Sequence, residues 1–190
     1  VYGHVLRGGI HLGLSFVPFI YFEFGETFAD LVGLELGQFV SALVLTMIVA
    51  EAIRLKFSIT IFGQREYEPH QVSALAWGAI GIGLVILMAP TKEYIWPLIL
   101  SLSLGDPLMG ELRRKGFEDK QVMIYSTIAI AVIWMTCWHF FATPLWLVPL
   151  MAPLCMISEW PRLRWIDDNA TMVLIPLCAI LLLDPFIGLL

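Results

Sequence analysis

The chain has 190 residues, 59% of them hydrophobic and 14% charged, with a net charge of -5 and a mean hydropathy of +0.83. A soluble domain carries about 25% charged residues because its surface has to be wetted. This composition therefore excludes a soluble globular domain and, more firmly, a disordered chain. The acidic balance leaves no basic surface to neutralise phosphates, which argues against a nucleic-acid partner.

A membrane-spanning helix needs roughly 17–25 mostly apolar residues. Apolar runs fall near residues 9–22, 36–50, 71–89, 94–105, 121–143, 144–158 and 170–190. In lipid each segment must pair its own backbone N–H and C=O groups, so these runs are expected to be helices. The fourth is short for a crossing, and its length also suits a broken or re-entrant helix. The sixth carries Pro144, Pro149 and Pro153, which should kink it or confine helix to part of it. Ala74 with Gly78, and Ala79 with Gly83, have the small-xxx-small spacing that lets helices approach closely. Cys137, Cys155 and Cys178 lie in apolar runs without CxxC spacing, and are expected as small core residues, not disulfides or a zinc site. The expected fold is all-α: one transmembrane domain over residues 1–190, a polytopic bundle of about seven transmembrane helices.

If all seven runs cross, ten of the eleven basic residues share one side. They are Arg7, Arg54, Lys56, Arg65, Arg113, Arg114, Lys115, Lys120, Arg162 and Arg164, against Lys92 alone on the other. The positive-inside rule then puts the N-terminus in the cytoplasm and the C-terminus outside, in a plasma membrane for a prokaryote or the endoplasmic reticulum for a eukaryote. Glu23, Glu26, Asp30 and Glu35 are expected in a solvated acidic turn of the first outer loop. Glu51, Asp106, Glu159, Asp167 and Asp168 fall at cytoplasmic membrane boundaries, where ionisable groups are costly and become functional candidates.

Several constellations could carry chemistry. Arg7 and His11 are four apart and project from one face of the first helix; Glu51 and Arg54 are three apart at the end of the second. Each pair alone also suits a local ion pair or an interfacial anchor. Asp106-Pro107 has the pattern of an N-cap followed by proline at the first helical position, where a carboxylate would sit beside a phosphate-holding helix N-terminus. Gly105 and Gly110 have Walker-A spacing, but Glu111 stands where lysine is required, which excludes a P-loop. Asp167 and Asp168 beside Asn169, at the start of the last run, suit a hard cation such as magnesium. Capping of the last helix by Asp168 or Asn169 explains the same residues. Acids that can hold a metal, arginines that can clamp phosphate and an apolar body together point to a cytoplasmic phosphate-handling site acting on a membrane lipid.

These residues resemble the polyprenol kinase family, which comprises dolichol kinase, phytol kinase and the CTP-dependent diacylglycerol kinases and is related to the CDP-diacylglycerol synthases. Arg7 and His11 resemble the family's first-helix arginine and histidine, and Glu51-x-x-Arg54 its second-helix acid and arginine. Residues 65–81 (REYEPHQVSALAWGAIG) are similar to its loop and third helix. Gly105-Asp106 resembles its Gly-Asp, and Glu159 with Asp167-Asp168-Asn169 and Pro176 its closing Glu, Asp-Asn and Pro. The resemblance covers residues 7 to 176. The family's Lys-x-x-Glu-Gly-Ser/Thr run has no counterpart: Lys120 is followed by Gln121-Val122-Met123-Ile124.

The resemblance implies transfer of the terminal phosphoryl group of CTP to a polyprenol, another isoprenoid alcohol or diacylglycerol. Magnesium would be held by Asp106, Asp167 and Asp168. The nucleotide would be bound through Arg7, Arg54, Arg65, Lys120 and Asn169, and His11, Glu51 and Glu159 would have catalytic roles. The implied partners are a membrane lipid substrate and a nucleotide, with homo-oligomer formation left open. Two alternatives are a cytidylyltransferase that makes a CDP-lipid from a lipid phosphate, and a non-catalytic lipid-binding or transport protein.

Overall fold

A computed structural model of the protein describes residues 2–59, 70–160, 163 and 165–187, without the side chains of residues 2–5, 7 and 187. Among the described residues there are eight α-helices, a 3-10 turn over Leu145–Leu147 and no strand. The helices are α1 (Tyr2–Leu14), α2 (Val17–Leu31), α3 (Leu36–Lys56), α4 (Ala74–Met88), α5 (Lys92–Arg114), α6 (Asp119–Phe141), α7 (Val148–Ser158) and α8 (Asp168–Ile187). Three are long and apolar enough to cross a membrane, Leu36–Lys56, Asp119–Phe141 and Asp168–Phe186, while Ala74–Met88 and Leu145–Ser158 are shorter apolar helices. The 21 residues of α3 rise about 31 Å, close to the hydrocarbon thickness of a bilayer. Its Leu45, at 61% exposure, and Leu182 of α8, at 74%, face outward with many other large apolar side chains. A surface of that kind is stable against lipid and not against water.

The first apolar run is two helices, not one. Pro18 has no N–H to give the Leu14 carbonyl, so α1 ends there. Ser15 and Phe16 turn back on Leu12 and Gly13 before α2 starts. The expected acidic turn is corrected by α2 itself, since Glu23, Glu26 and Asp30 lie on it, exposed, and not in a loop. Glu35 caps α3 in a capping box with Gln38.

A second correction concerns Asp106-Pro107. It does not start a helix: α5 continues through it and through Pro97. Pro97 cannot bond the Glu93 carbonyl, and Thr143 Oγ1 donates to that carbonyl at 2.8 Å instead. The short fourth run is thus the middle of a 23-residue helix, with the polar stretch 106–114 as its last turns. This helix lies at the centre, packing on α1, α2, α4, α6, α7 and α8. Leu98, Ile99, Leu102 and Met109 are fully buried along it.

The proline-rich sixth run behaves as its sequence suggests, with a 3-10 turn over Leu145–Leu147 followed by the 11-residue α7. Small residues let α4 approach both neighbours. A Cβ on Gly81 would lie 2.8 Å from Val173 of α8, and one on Gly83 would collide with Val44 of α3. Cys137 and Cys155 are buried and free, as expected, but Cys178 is exposed on α8 and is no core residue.

Candidate functional site

Asp106 on α5, Glu159 just after α7 and Asp168 at the start of α8 each offer a carboxylate oxygen, and the three oxygens lie within 4.8 Å of one another. Three separate elements must meet to make this cluster. Asp106 comes down the central helix, and Glu159 is the C-cap of α7. Asp168 occupies the first turn of α8, where the positive end of the helix dipole favours a carboxylate.

Two basic side chains face the cluster. Nε2 of His11, a buried residue of α1, lies 3.4 Å from Asp106 Oδ2. Arg113, two turns beyond Asp106 on α5, donates to both oxygens of Glu159 at 2.6 and 2.7 Å. That bidentate fork fits carboxylate geometry and offsets the cost of burying Glu159, which is 4% exposed. The Arg113 guanidinium also sits 5.2 Å from the centre of the Trp160 ring. A polar pocket of about 620 Å³ opens here, lined among others by Arg113, Asp119, Glu159, Asp167 and Asp168.

Asp167 is not part of the three-carboxylate cluster. Its Oδ1 accepts the Asn169 N–H at 3.1 Å and its carbonyl accepts from Ala170 and Thr171. Asp168 Oδ1 accepts the same N–H at 3.1 Å, so Asp167 shares the capping expected of Asp168. Asn169 is buried and its Nδ2 donates to the Ala74 carbonyl at 3.2 Å, tying α8 to α4.

Glu51 and Arg54 form a second buried assembly. Arg54 donates from Nε and Nη2 to the two Glu51 oxygens at 3.0 and 2.8 Å, and to the carbonyls of Ile59 and Gln71. Glu51 Oε1 also accepts the Ser73 N–H at 2.6 Å. The pair therefore anchors both ends of the connection between α3 and α4, a structural task that both side chains perform directly. Lys120 is exposed in the first turn of α6, and its neighbour Asp119 is the residue that lines the polar pocket. Arg65, Arg162 and Arg164 lie outside the described residues, as does the side chain of Arg7.

Arg113 is the site residue that sequence reading left among the loop charges. Its signal was its spacing: seven residues beyond Asp106, it lies on the same helix face, provided the helix runs through Pro107.

The donor set suits a hard divalent cation. All three ligand atoms are carboxylate oxygens, and magnesium is commonly held by one or two such groups with substrate phosphates completing the shell. Comparison with protein-family models, curated proteins and solved structures finds no match to this chain.

Proposed function

We propose that this protein is a membrane-embedded lipid-alcohol kinase of the polyprenol kinase type, crossing the bilayer seven times with its N-terminus and polar pocket on the cytoplasmic side. In this topology α1 and α2 together make the first crossing, and α3 to α8 one each. The observation that carries the reading is the convergence of Asp106, Glu159 and Asp168 from α5, the end of α7 and α8, with His11 and Arg113 against them. The ten-to-one distribution of basic residues supports the orientation.

Asp106 and Asp168 would hold magnesium, because Glu159 gives both its oxygens to Arg113. Bound there, the ion would neutralise charge on the nucleotide's terminal phosphates. Arg113 contributes fixed positive charge at the pocket wall. His11 takes the role of accepting the proton of the lipid hydroxyl, with Asp106 beside it to orient the imidazole and stabilise its charged form. The lipid oxygen then bonds the terminal phosphorus of CTP, the bridging P–O bond breaks, and CDP leaves.

The test is to incubate purified protein with CTP or ATP labelled on the terminal phosphate, magnesium and a panel of lipid alcohols. Labelled lipid phosphate is the expected product. Asp106→Asn and Asp168→Asn should each lower the rate about a hundredfold, the scale of removing one preorganised electrostatic stabiliser. Full activity in both variants, or no transfer from either nucleotide, would overturn the assignment.

A further inference from the structure

An apolar groove of about 430 Å³ runs between α2, α3 and α4, and none of the three clustered carboxylates lines it. Its α3 wall extends from Leu36 to Ala50, about 21 Å at the helical rise per residue. Because α3 is long and apolar enough to cross a bilayer, this wall lies at hydrocarbon depth. The lining is almost wholly hydrocarbon, with Tyr21 and Thr46 as its polar exceptions. An aqueous ligand has no access and no partners there; a lipid chain has both.

The groove also has a direction. Met47 and Ala50 line it, and one turn further along α3 stand Glu51 and Arg54. Leu14 of α1 lines it too, and His11 sits one turn before Leu14, with its Nε2 3.4 Å from Asp106. The far end, at Phe28 and Leu36, lies beside the exposed carboxylates Asp30 and Glu35, on the side of α3 opposite its Glu51–Arg54 end. The end at Leu14 and Ala50 is therefore the one that leads, through His11, towards the carboxylate cluster.

We propose that this groove binds the single hydrocarbon chain of a membrane alcohol, laid along α3 with its hydroxyl end at Leu14 and Ala50 and its tail end at Phe28 and Leu36. That the bound lipid is the phosphoryl acceptor rests on the kinase reading above. A chain gains no hydrophobic free energy on leaving lipid for an apolar groove, so its affinity comes from packing against the three helices and from the polar end near His11. An extended chain about 21 Å long reaches past the bilayer midplane, about 15 Å from either face of the hydrocarbon core, so the groove favours long acceptors over short ones.

Two photoreactive long-chain alcohols test this in bilayers of phosphatidylcholine without nucleotide, one with a diazirine beside the hydroxyl and one with it at the chain terminus. Peptide mass spectrometry should place hydroxyl-end adducts near Leu14 and Ala50, and terminal adducts near Phe28, Leu36 and Phe39. An excess of unlabelled long-chain alcohol should reduce both about tenfold. Ala79→Trp, which fills the groove from α4, should reduce them by a similar factor. Adducts spread over the outward residues Leu45, Ile48 and Val49, or labelling that competitor leaves unchanged in the unsubstituted protein, would overturn the proposal whether or not the variant folds. Saturable labelling in the groove without phosphoryl transfer in the kinase assay would overturn the acceptor assignment alone and leave the chain-binding groove standing.

Discussion

Arg113 and Glu159 are joined by two parallel N–H···O bonds of 2.6 and 2.7 Å, which bring the last turn of the central helix α5 against the end of α7. The side chain of Glu159 is 3% exposed and that of Arg113 is 32% exposed, so the carboxylate is the member that cannot stand alone. Truncating the arginine leaves a buried charge without its counter-ion, which costs about 3–5 kcal/mol in buried pairs.

Arg113→Gln should therefore lower thermal stability in detergent by an amount near the lower end of that range, since Arg113 is partly open to solvent. Adding Glu159→Gln should recover part of the loss, because the stranded charge is gone. A double-mutant cycle monitored by tryptophan fluorescence measures the coupling. Strictly additive effects would show that the pair contributes nothing as a unit.

The Glu51–Arg54 assembly predicts intolerance of a substitution that keeps the charge. Arg54 serves Glu51 and the carbonyls of Ile59 and Gln71 at once. Lysine has a single nitrogen and cannot reproduce that fork. Arg54→Lys should destabilise by about 1–3 kcal/mol, the cost of leaving buried acceptors unmet. An unchanged melting temperature would mean that the carbonyls find other donors.

Thr143 and Pro97 should be coupled through an atom neither residue owns. Thr143 Oγ1 donates to the Glu93 carbonyl, which Pro97 leaves without its helical partner. Thr143→Val should cost about 1–3 kcal/mol. In a Pro97→Ala background, where position 97 regains its N–H, the same substitution should cost clearly less. Equal losses in the two backgrounds, read by thermal unfolding, would refute the coupling.

Close packing of α4 on α3 gives a steric test. Gly83→Ala places a methyl group against Val44, and overpacking of this kind typically costs about 1–3 kcal/mol. Val44→Ala in the same chain should relieve most of it. If Gly83→Ala alone melts as the unsubstituted protein does, the two helices do not press together at that point.

Particular residues mark how far local pattern carried. The runs at 36–50, 121–143 and 170–190 predict α3, α6 and α8, because a long apolar segment in lipid can satisfy its backbone only as a helix. Pro144, Pro149 and Pro153 foretell the broken start of α7 for the same backbone reason. Asp106-Pro107 misleads, since local chemistry favours a helix start there, whereas burial of α5 among six other helices keeps it helical through the proline. Pro18 works in the opposite direction and divides a run that hydropathy alone treats as one.

Composition and charge pattern by themselves determined that this is an all-helical protein suited to lipid, because hydropathy and backbone satisfaction are properties of each segment. They also singled out Glu51, Asp106, Glu159, Asp167 and Asp168, since ionisable groups at the ends of apolar runs are conspicuous. Only the tertiary structure decided which of them meet. Asp106 and Asp168 are 62 positions apart, and their distance depends on how α5, α7 and α8 pack, which segment-level pattern does not encode. The same packing gave Arg113 to Glu159 and committed Arg54 to the Gln71 carbonyl beyond the connection after α3, because each side chain bonds the partner that folding brings within about 3 Å.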